Sequence, residues 1–516
     1  MARLEPAPLS PGISLPRIRD IVVADRRIAA AGALAIAFAI GLATPAVAPR
    51  GPTTIANALL IMVVVLGIGL AGGALARTRW ILLPLAIAYF GGLELGRLDV
   101  VGPSLDVRLD SAYGLIAFIV TRGFHAFLVL PPLTFGVLIG IALARRVGWS
   151  TAPQSRRRPI GTAVLGAAVV ALAVLVAWPA STPPVIGPDG QPIAGSIAEL
   201  TTVRLGGSDH AVMIRAADPG NPVILYLAGG PGQSDMALAR PQVSGWEQDF
   251  VFVALDQRGN GKSYPAIDPV ASMTLDRAVA DVVELTEYLR TRFDEARIYL
   301  MGESWGTILG VHAIQARPDL YHAWIGSGQM VDIVETDRRV YADLVAHAER
   351  SGDAALAANL QAVGEPPYRD IPWANSNLLA WYDYLYEPYT PSAGYLARGE
   401  AAGLDPFGLL GPEYNVVEKT NVLRGLVDTF SLMYPQLYGL DLRESAARLE
   451  VPVYVLDGAA ELDGRRALAL EWFDALDAPT KQLVTFENAA HAVAFEQADE
   501  VQRLLNETIV PATYGK

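Results

Sequence analysis

The stretch Gly302-Glu303-Ser304-Trp305-Gly306 decides the fold of this chain. The apolar run Ala296-Arg297-Ile298-Tyr299-Leu300-Met301 leads into it, and a helical pattern over 307–316 leads out. A serine hydroxyl is a weak nucleophile unless a sharp turn thrusts it out within reach of a base. Small residues two before and two after it let the backbone bend that tightly. Placed between a strand and a helix, the pattern makes Ser304 the candidate nucleophile.

Outward from this turn, short apolar runs alternate with helical segments. Strands are expected over 201–205, 211–216, 223–227, 250–255, 298–301, 322–325, 451–456 and 482–486, the first two as an antiparallel pair. The run 223–227 is continuously apolar, as in a strand buried on both faces. Helices are expected over 275–293, 307–316, 465–476 and 494–505. Such alternation predicts an α/β fold, a mostly parallel sheet with helices on both faces. The interval 329–449 breaks the alternation with helical, aromatic-rich sequence, including Trp373, Trp381, Tyr382 and Tyr386, and is expected as a cap over the carboxyl edge of the sheet.

A serine nucleophile needs a base, a carboxylate to orient and charge-stabilise that base, and backbone donors for the developing oxyanion. Of the six histidines, His125, His210, His312, His322 and His347 fall in or beside expected helices and strands and read as structural. His491 stands apart, in a loop between the last strand and the last helix, and is the candidate base. The acid belongs just after the strand 451–456, where Asp457, Glu461 and Asp463 all stand. Glu461, three residues beyond Gly458, is favoured, with Asp463 as the alternative; either could instead be an acid at the start of the following helix. The oxyanion donors are expected from the amide of Trp305 and from the turn Ala228-Gly229-Gly230-Pro231-Gly232, with Gly230 as donor and Gly229 beside the substrate.

These residues resemble the proline iminopeptidase branch of the α/β-hydrolase superfamily. That family carries His-Gly-Gly-Pro-Gly after its third strand, Asp-Gln-Arg-Gly-x-Gly-x-Ser after its fourth, and Gly-x-Ser-Trp-Gly at its nucleophile. Here the counterparts are 228–232, Asp256-Gln257-Arg258-Gly259-Asn260-Gly261-Lys262-Ser263 and 302–306, in the same order. The resemblance covers roughly 201–510, and counting back from Trp472 it also places the acid at Glu461. Three departures stand out: Ala228 replaces the histidine opening the glycine turn, glutamate replaces the usual aspartate, and a long apolar half precedes the domain. The resemblance implies an α/β-hydrolase fold and cleavage of small peptides through an acyl-enzyme, with no metal or cofactor required. An aminopeptidase must hold a free ammonium, for which Glu335 in the cap is the candidate. Asp256 and Arg258 are expected to brace the loop beneath the site. Two alternatives remain open: an esterase or lipase acting on acyl substrates, and a non-catalytic membrane receptor or scaffold built on the same fold.

The rest of the chain sets the context. Hydrophobic residues make up 52% of the 516 and charged ones 18%, too apolar a balance for a wholly soluble enzyme. Spans are expected at 28–47, 54–76, 80–95, 126–144 and 160–178, an all-α transmembrane domain of about five helices with the lipid bilayer as partner. Arg17, Arg19, Arg26 and Arg27, then Arg77 and Arg79, then Arg145, Arg146 and Arg156, Arg157 and Arg158 fall on one side of five such spans. That asymmetry predicts a cytoplasmic N-terminus and an extracytoplasmic catalytic half. The apolar stretch 112–120 is too short to span and is expected to be re-entrant or interfacial. His125 and Glu94, near span ends, are expected to reach water, and Gly72, Gly73, Gly91 and Gly92 to allow close helix packing. Domain boundaries are expected at 1–179 for the helices, 180–197 for an extended Pro/Gly-rich tether and 198–516 for the hydrolase. The absence of cysteine excludes thiolate chemistry, and a net charge of −13 disfavours nucleic acid as a partner.

Overall fold

The computed structural model describes residues 25–109, 112–149, 160–401 and 411–515. Arg17, Arg19 and Arg156, Arg157 and Arg158 lie outside the described residues. Contacts gather the described residues into two compact units. One holds those up to Val100 together with His125–Ala177; the other holds Val101–Phe124 and those from Trp178 onward.

The first unit consists of the helices Arg26–Ala43, Ile55–Ala76, Leu82–Gly96, Phe124–Arg146 and Ile160–Ala177. Four helical stretches, Arg26–Ala46, Ile55–Ala76, Tyr113–Arg146 and Ile160–Ala177, are long and apolar enough to cross a membrane; Leu82–Gly96 has 15 residues. Asp25 and Thr54 cap the first two helices, accepting from Arg27 N at 2.8 Å and Asn57 N at 3.1 Å. Small residues let the backbones touch. A Cβ on Gly73 would collide with the Val137 carbonyl, one on Gly140 with the Leu70 carbonyl, and one on Gly92 with the Phe38 carbonyl. A Cβ on Gly72 would press on the Leu85 side chain, whereas one on Gly91 would meet nothing within 4 Å, so the expectation of close packing does not extend to Gly91. His125 does not reach water: it is buried, and its Nε2 lies 3.1 Å from the Tyr89 hydroxyl on the third helix. Glu94 pairs with Arg97 one turn later.

The second unit is built on an eight-stranded sheet of β1 Ile197–Leu205, β2 Ser208–Ala216, β3 Val223–Leu227, β4 Val251–Leu255, β5 Ile298–Glu303, β6 Tyr321–Ser327, β7 Val453–Gly458 and β8 Lys481–Phe486. The spatial order is β1-β2-β4-β3-β5-β6-β7-β8, with β1 and β2 antiparallel to their neighbours and the remainder parallel. Every residue of β3 is buried. Val223, Leu225 and Leu227 pack on one face with Leu285 and Trp305, while Ile224 and Tyr226 pack on the other with Phe252 and Phe495. That two-sided burial explains why the central strands read as continuous apolar runs. Between β6 and β7 the cap helices include Ile333–Ser351, Trp373–Leu379, Asp383–Tyr386 and Val416–Met433. The last begins with a capping box in which Asn415 and Glu418 satisfy each other's backbone amides.

Two segments differ from expectation. Residues 180–196 carry no helix and are mostly exposed, as an extended tether would be, but their start is tied to the hydrolase unit. Ser181 N donates to Pro412 O at 2.9 Å, and the Arg215 guanidinium donates to Thr182 Oγ1 and Pro183 O, each at 2.6 Å. The second difference is 101–124, which packs on the hydrolase unit through the helix Ala112–Phe118 and the π-turn Ile119–Gly123. Leu105, Ala117 and Val120 are buried there, while Leu115, Ile116 and Ile119 remain exposed.

Candidate active site

The sheet register assembles the site. β3 lies beside β5 with Leu227 opposite Gly302, β5 beside β6 with Glu303 opposite Ser327, and β7 beside β8 with Gly458 opposite Phe486. The turns leaving β3, β5, β7 and β8 thus share one carboxyl edge, where open parallel sheets bind their ligands. Ser304 heads the helix Trp305–Ala316 with φ +53° and ψ −120°, a conformation that a side chain other than glycine tolerates only under tight constraint. The constraint is visible: Ser304 N donates to Ser327 O at 3.1 Å, Thr307 N to Ser304 O at 2.8 Å, and a Cβ on Gly306 would collide with Leu227 O.

Gly230 has φ +119° in the turn after β3, a region closed to other residues. The turn and the elbow are tied by Gln257, whose Nε2 donates to Ala228 O at 3.0 Å while its Oε1 accepts from Trp305 Nε1 at 2.8 Å. The flanking Asp256 and Arg258 brace this loop, as expected. Asp256 accepts from Lys262 N at 2.7 Å and Tyr414 OH at 2.9 Å, and Arg258 forms a fork with Asp281 at 2.9 and 3.0 Å. The Gly229 amide donates to the buried carboxylate of Asp235.

His491 Nδ1 makes a short contact with Glu461 Oε2. Glu461 Oε1 accepts from Leu462 N at 2.8 Å and Tyr386 OH at 3.2 Å, and Arg465 Nη1 lies 3.5 Å away. Burial alone would raise the Glu461 carboxyl, but the charges of His491 and Arg465 and the hydrogen bonds to His491 and Leu462 N bring it down to about 2. The other two acids stand elsewhere: Asp457 is forked by Arg466 at 2.9 and 2.8 Å, and Asp463 opens the helix Asp463–Ala475. The loop bearing His491 is held by Glu496, which accepts from Ala490 N at 2.7 Å, Ala492 N at 3.0 Å and the Tyr389 hydroxyl. Gly328, at φ +57°, leaves room for the imidazole, since a Cβ there would lie 3.0 Å from its ring. Next to Ser304, burial first and then the charges of Asp235, Glu496 and Glu461 push Glu303 well above the ordinary carboxylate range.

Ser304, Trp305, Gly230 and His491 line one cavity of about 610 Å³. Its far wall comes from the cap and is largely apolar, with Trp373, Val427 and Phe430, but it also carries Asp337. Gly229 and Glu335 are not among the lining residues; Glu335 pairs with Arg339 at 3.0 Å. Asp337, two residues on, accepts from Tyr434 OH at 2.9 Å. Burial raises its carboxyl to about 7, against the lowering by Tyr434 and Arg465. The sequence reading missed Asp337, Gln257 and Glu496. Gln257 stood inside a quoted motif, and Glu496 sits one turn beyond the histidine loop, but nothing local marked either.

A mostly parallel sheet with a tight strand-turn-helix at β5 and a helical insertion after β6 is the α/β-hydrolase architecture. The family described as "Serine aminopeptidase, S33" matches residues 246–364. The Bacillus subtilis protein described as probable aminopeptidase YbaC is 30% identical over 304 residues, which are 58% of this chain and 93% of that one. A probable proline iminopeptidase of Leptolyngbya boryana is 31% identical over 107 residues, 20% of this chain and 30% of that one. Among solved structures, the proline iminopeptidase-related protein of Thermus thermophilus aligns over 61% of this chain and 98% of its own, at 20% identity and a TM-score of 0.42. The chain belongs to the proline iminopeptidase-like branch of the α/β-hydrolase superfamily, and it is a hydrolase.

Proposed function

We propose that the protein is a membrane-anchored serine hydrolase that removes residues from the free amino end of small peptides. Ser304 Oγ attacks the scissile carbonyl carbon while His491 takes its proton, and the amides of Gly230 and Trp305 hold the oxyanion. His491 then returns the proton to the leaving amine as the C–N bond breaks. Water, deprotonated by the same imidazole, releases the acyl group. Glu461 keeps the imidazole oriented and stabilises its charge, and no metal or cofactor takes part. The observation that carries this reading is the contact of the His491 imidazole with a buried Glu461 at the rim of the cavity that also holds Ser304. In the ammonium role Asp337 replaces Glu335, because of the two carboxylates lining the cavity, Asp337 and the exposed Asp383, it is the buried one.

The apolar cavity wall favours one further reading, an esterase acting on acyl chains. Hydrolysis of proline naphthylamide set against nitrophenyl acyl esters, with Ser304→Ala as control, separates the two. Turnover of the esters alone overturns the peptidase, and the absence of both activities in folded protein favours the scaffold.

The four long apolar helices, with Leu82–Gly96 as a shorter fifth, support anchoring in a bilayer. The arginine distribution supports a cytoplasmic N-terminus and an extracytoplasmic hydrolase. Protease treatment of sealed cells tests the orientation. Cleavage of the hydrolase only after permeabilisation overturns it.

A further inference from the structure

The stretch 112–120, expected to be re-entrant or interfacial, lies within 101–124, which belongs to the hydrolase unit. Its attachments are specific. Ser104 donates twice to the fully buried Asp428, from its amide at 2.7 Å and its hydroxyl at 2.6 Å, and Tyr264 OH donates to the same carboxylate at 2.5 Å. The buried Arg424 donates to Val120 O at 2.9 Å. Arg108 reaches Asp370 at 2.7 Å and lies over the Trp373 ring, 5.5 Å from its centre. Within the segment, a Cβ on Gly114 would collide with Arg108 O.

Those attachments hold one helix face against the cap. Ala117 is buried with Trp373 and Val427, and Tyr113, one helical turn earlier, packs on the same cluster. Tyr113, Trp373 and Val427 all line the cavity that contains Ser304 and His491. Asp428, which anchors the segment, stands next to Val427 on the helix Val416–Met433. The residue that fixes the segment and the residue that shapes the cavity are thus neighbours in sequence.

We propose that Tyr113 is a specificity-determining residue of the hydrolase, the wall against which a large apolar or aromatic group of the substrate packs. The inference rests on the serine-hydrolase reading above and deepens it. Residues that touch this group set affinity and leave the chemical step unchanged, because they meet ground state and transition state alike. Tyr113 does so from outside the segment 198–516 expected to hold the whole catalytic domain.

The test uses the full-length protein in detergent and fluorophosphonates with alkyl groups graded from methyl to decyl, which label the nucleophile without turnover. Labelling of Ser304 in the wild type is the first requirement, and its absence in folded protein overturns both this inference and the serine-hydrolase reading. With labelling established, Tyr113→Ala is expected to lower the rate for the decyl probe about tenfold and that for the methyl probe less than about twofold. Equal effects on both probes, or none, overturn the inference alone. Because the chain contains no cysteine, Tyr113→Cys introduces a single thiol. That thiol is expected to react with a methanethiosulfonate before decyl labelling and to be protected after it. A thiol equally reactive before and after removes Tyr113 from the cavity wall even if Tyr113→Ala fails to fold.

Discussion

Two carboxylates at the site differ in charge because their surroundings differ. Glu461 meets His491 and Arg465, which hold it ionised; its stabilising contribution is complete above its ordinary 4.5 and is lost as the pH falls toward about 2. Glu461→Gln keeps the shape but removes the charge that supports the imidazolium, so kcat/KM is expected to fall by on the order of 10³- to 10⁴-fold. Asp463→Asn should change it less than about threefold, and steady-state kinetics on the two variants decide which acid serves. Asp337 is the reverse case. Its carboxyl is raised to about 7, so it gains the charge that an ammonium needs only as the pH rises through that value. KM for an aminoacyl naphthylamide is therefore expected to fall between pH 6 and 8, while KM for a neutral acyl ester stays flat, and Asp337→Asn abolishes the difference. The same shift makes the folded protein bind protons that the unfolded chain releases above 3.8, so this group costs stability as the pH climbs from about 4 to 7. Glu335 and Asp337 also show where sequence reading ends. Two residues apart on one helix, they point about 200° from each other. One turns to Arg339 and the other to the cavity, and only the tertiary packing decides which.

At the scale of elements, the central strands were legible because burial on both faces removes polar residues from them, and the turn at Ser304 because its glycines answer to backbone contact. Gly306 is the sharpest instance, its missing side chain letting the helix Trp305–Ala316 start against Leu227 O. Gly306→Ala is expected to displace that helix start and lower kcat about 100-fold or more, with fluorophosphonate labelling of Ser304 reduced in parallel. The variant Gly310→Ala, whose Cβ would press on the Trp324 ring, should instead appear as a loss of thermal stability. The helices of the apolar half were legible by length alone, yet their partners were not. The pairing of His125 with Tyr89 spans 36 positions and leaves no trace in either local pattern. The cap resisted reading for the same reason: its short helices are held by partners distant in sequence, as Tyr434 is by Asp337.

For the whole molecule, the contacts cut across the order of the chain, since the hydrolase unit recruits 101–124 from within the apolar half. A fragment beginning at residue 180 keeps all eight strands but loses the partners that Ser104 gives Asp428 and Val120 gives Arg424, and it bares Trp373 and Val427. Urea unfolding is expected to show that fragment destabilised by about 2–4 kcal/mol relative to the hydrolase within the full chain. Equal midpoints would show that 101–124 contributes nothing to its stability. The recruitment also imposes a schedule on biosynthesis. The helix Val416–Met433 begins 292 positions after residue 124, so at ordinary elongation rates about 15–60 s separate the emergence of the two partners from the ribosome. Through that interval the greasy face carrying Ala117 has no docking place, and nascent chains stalled between these points should be the ones that chaperones retain.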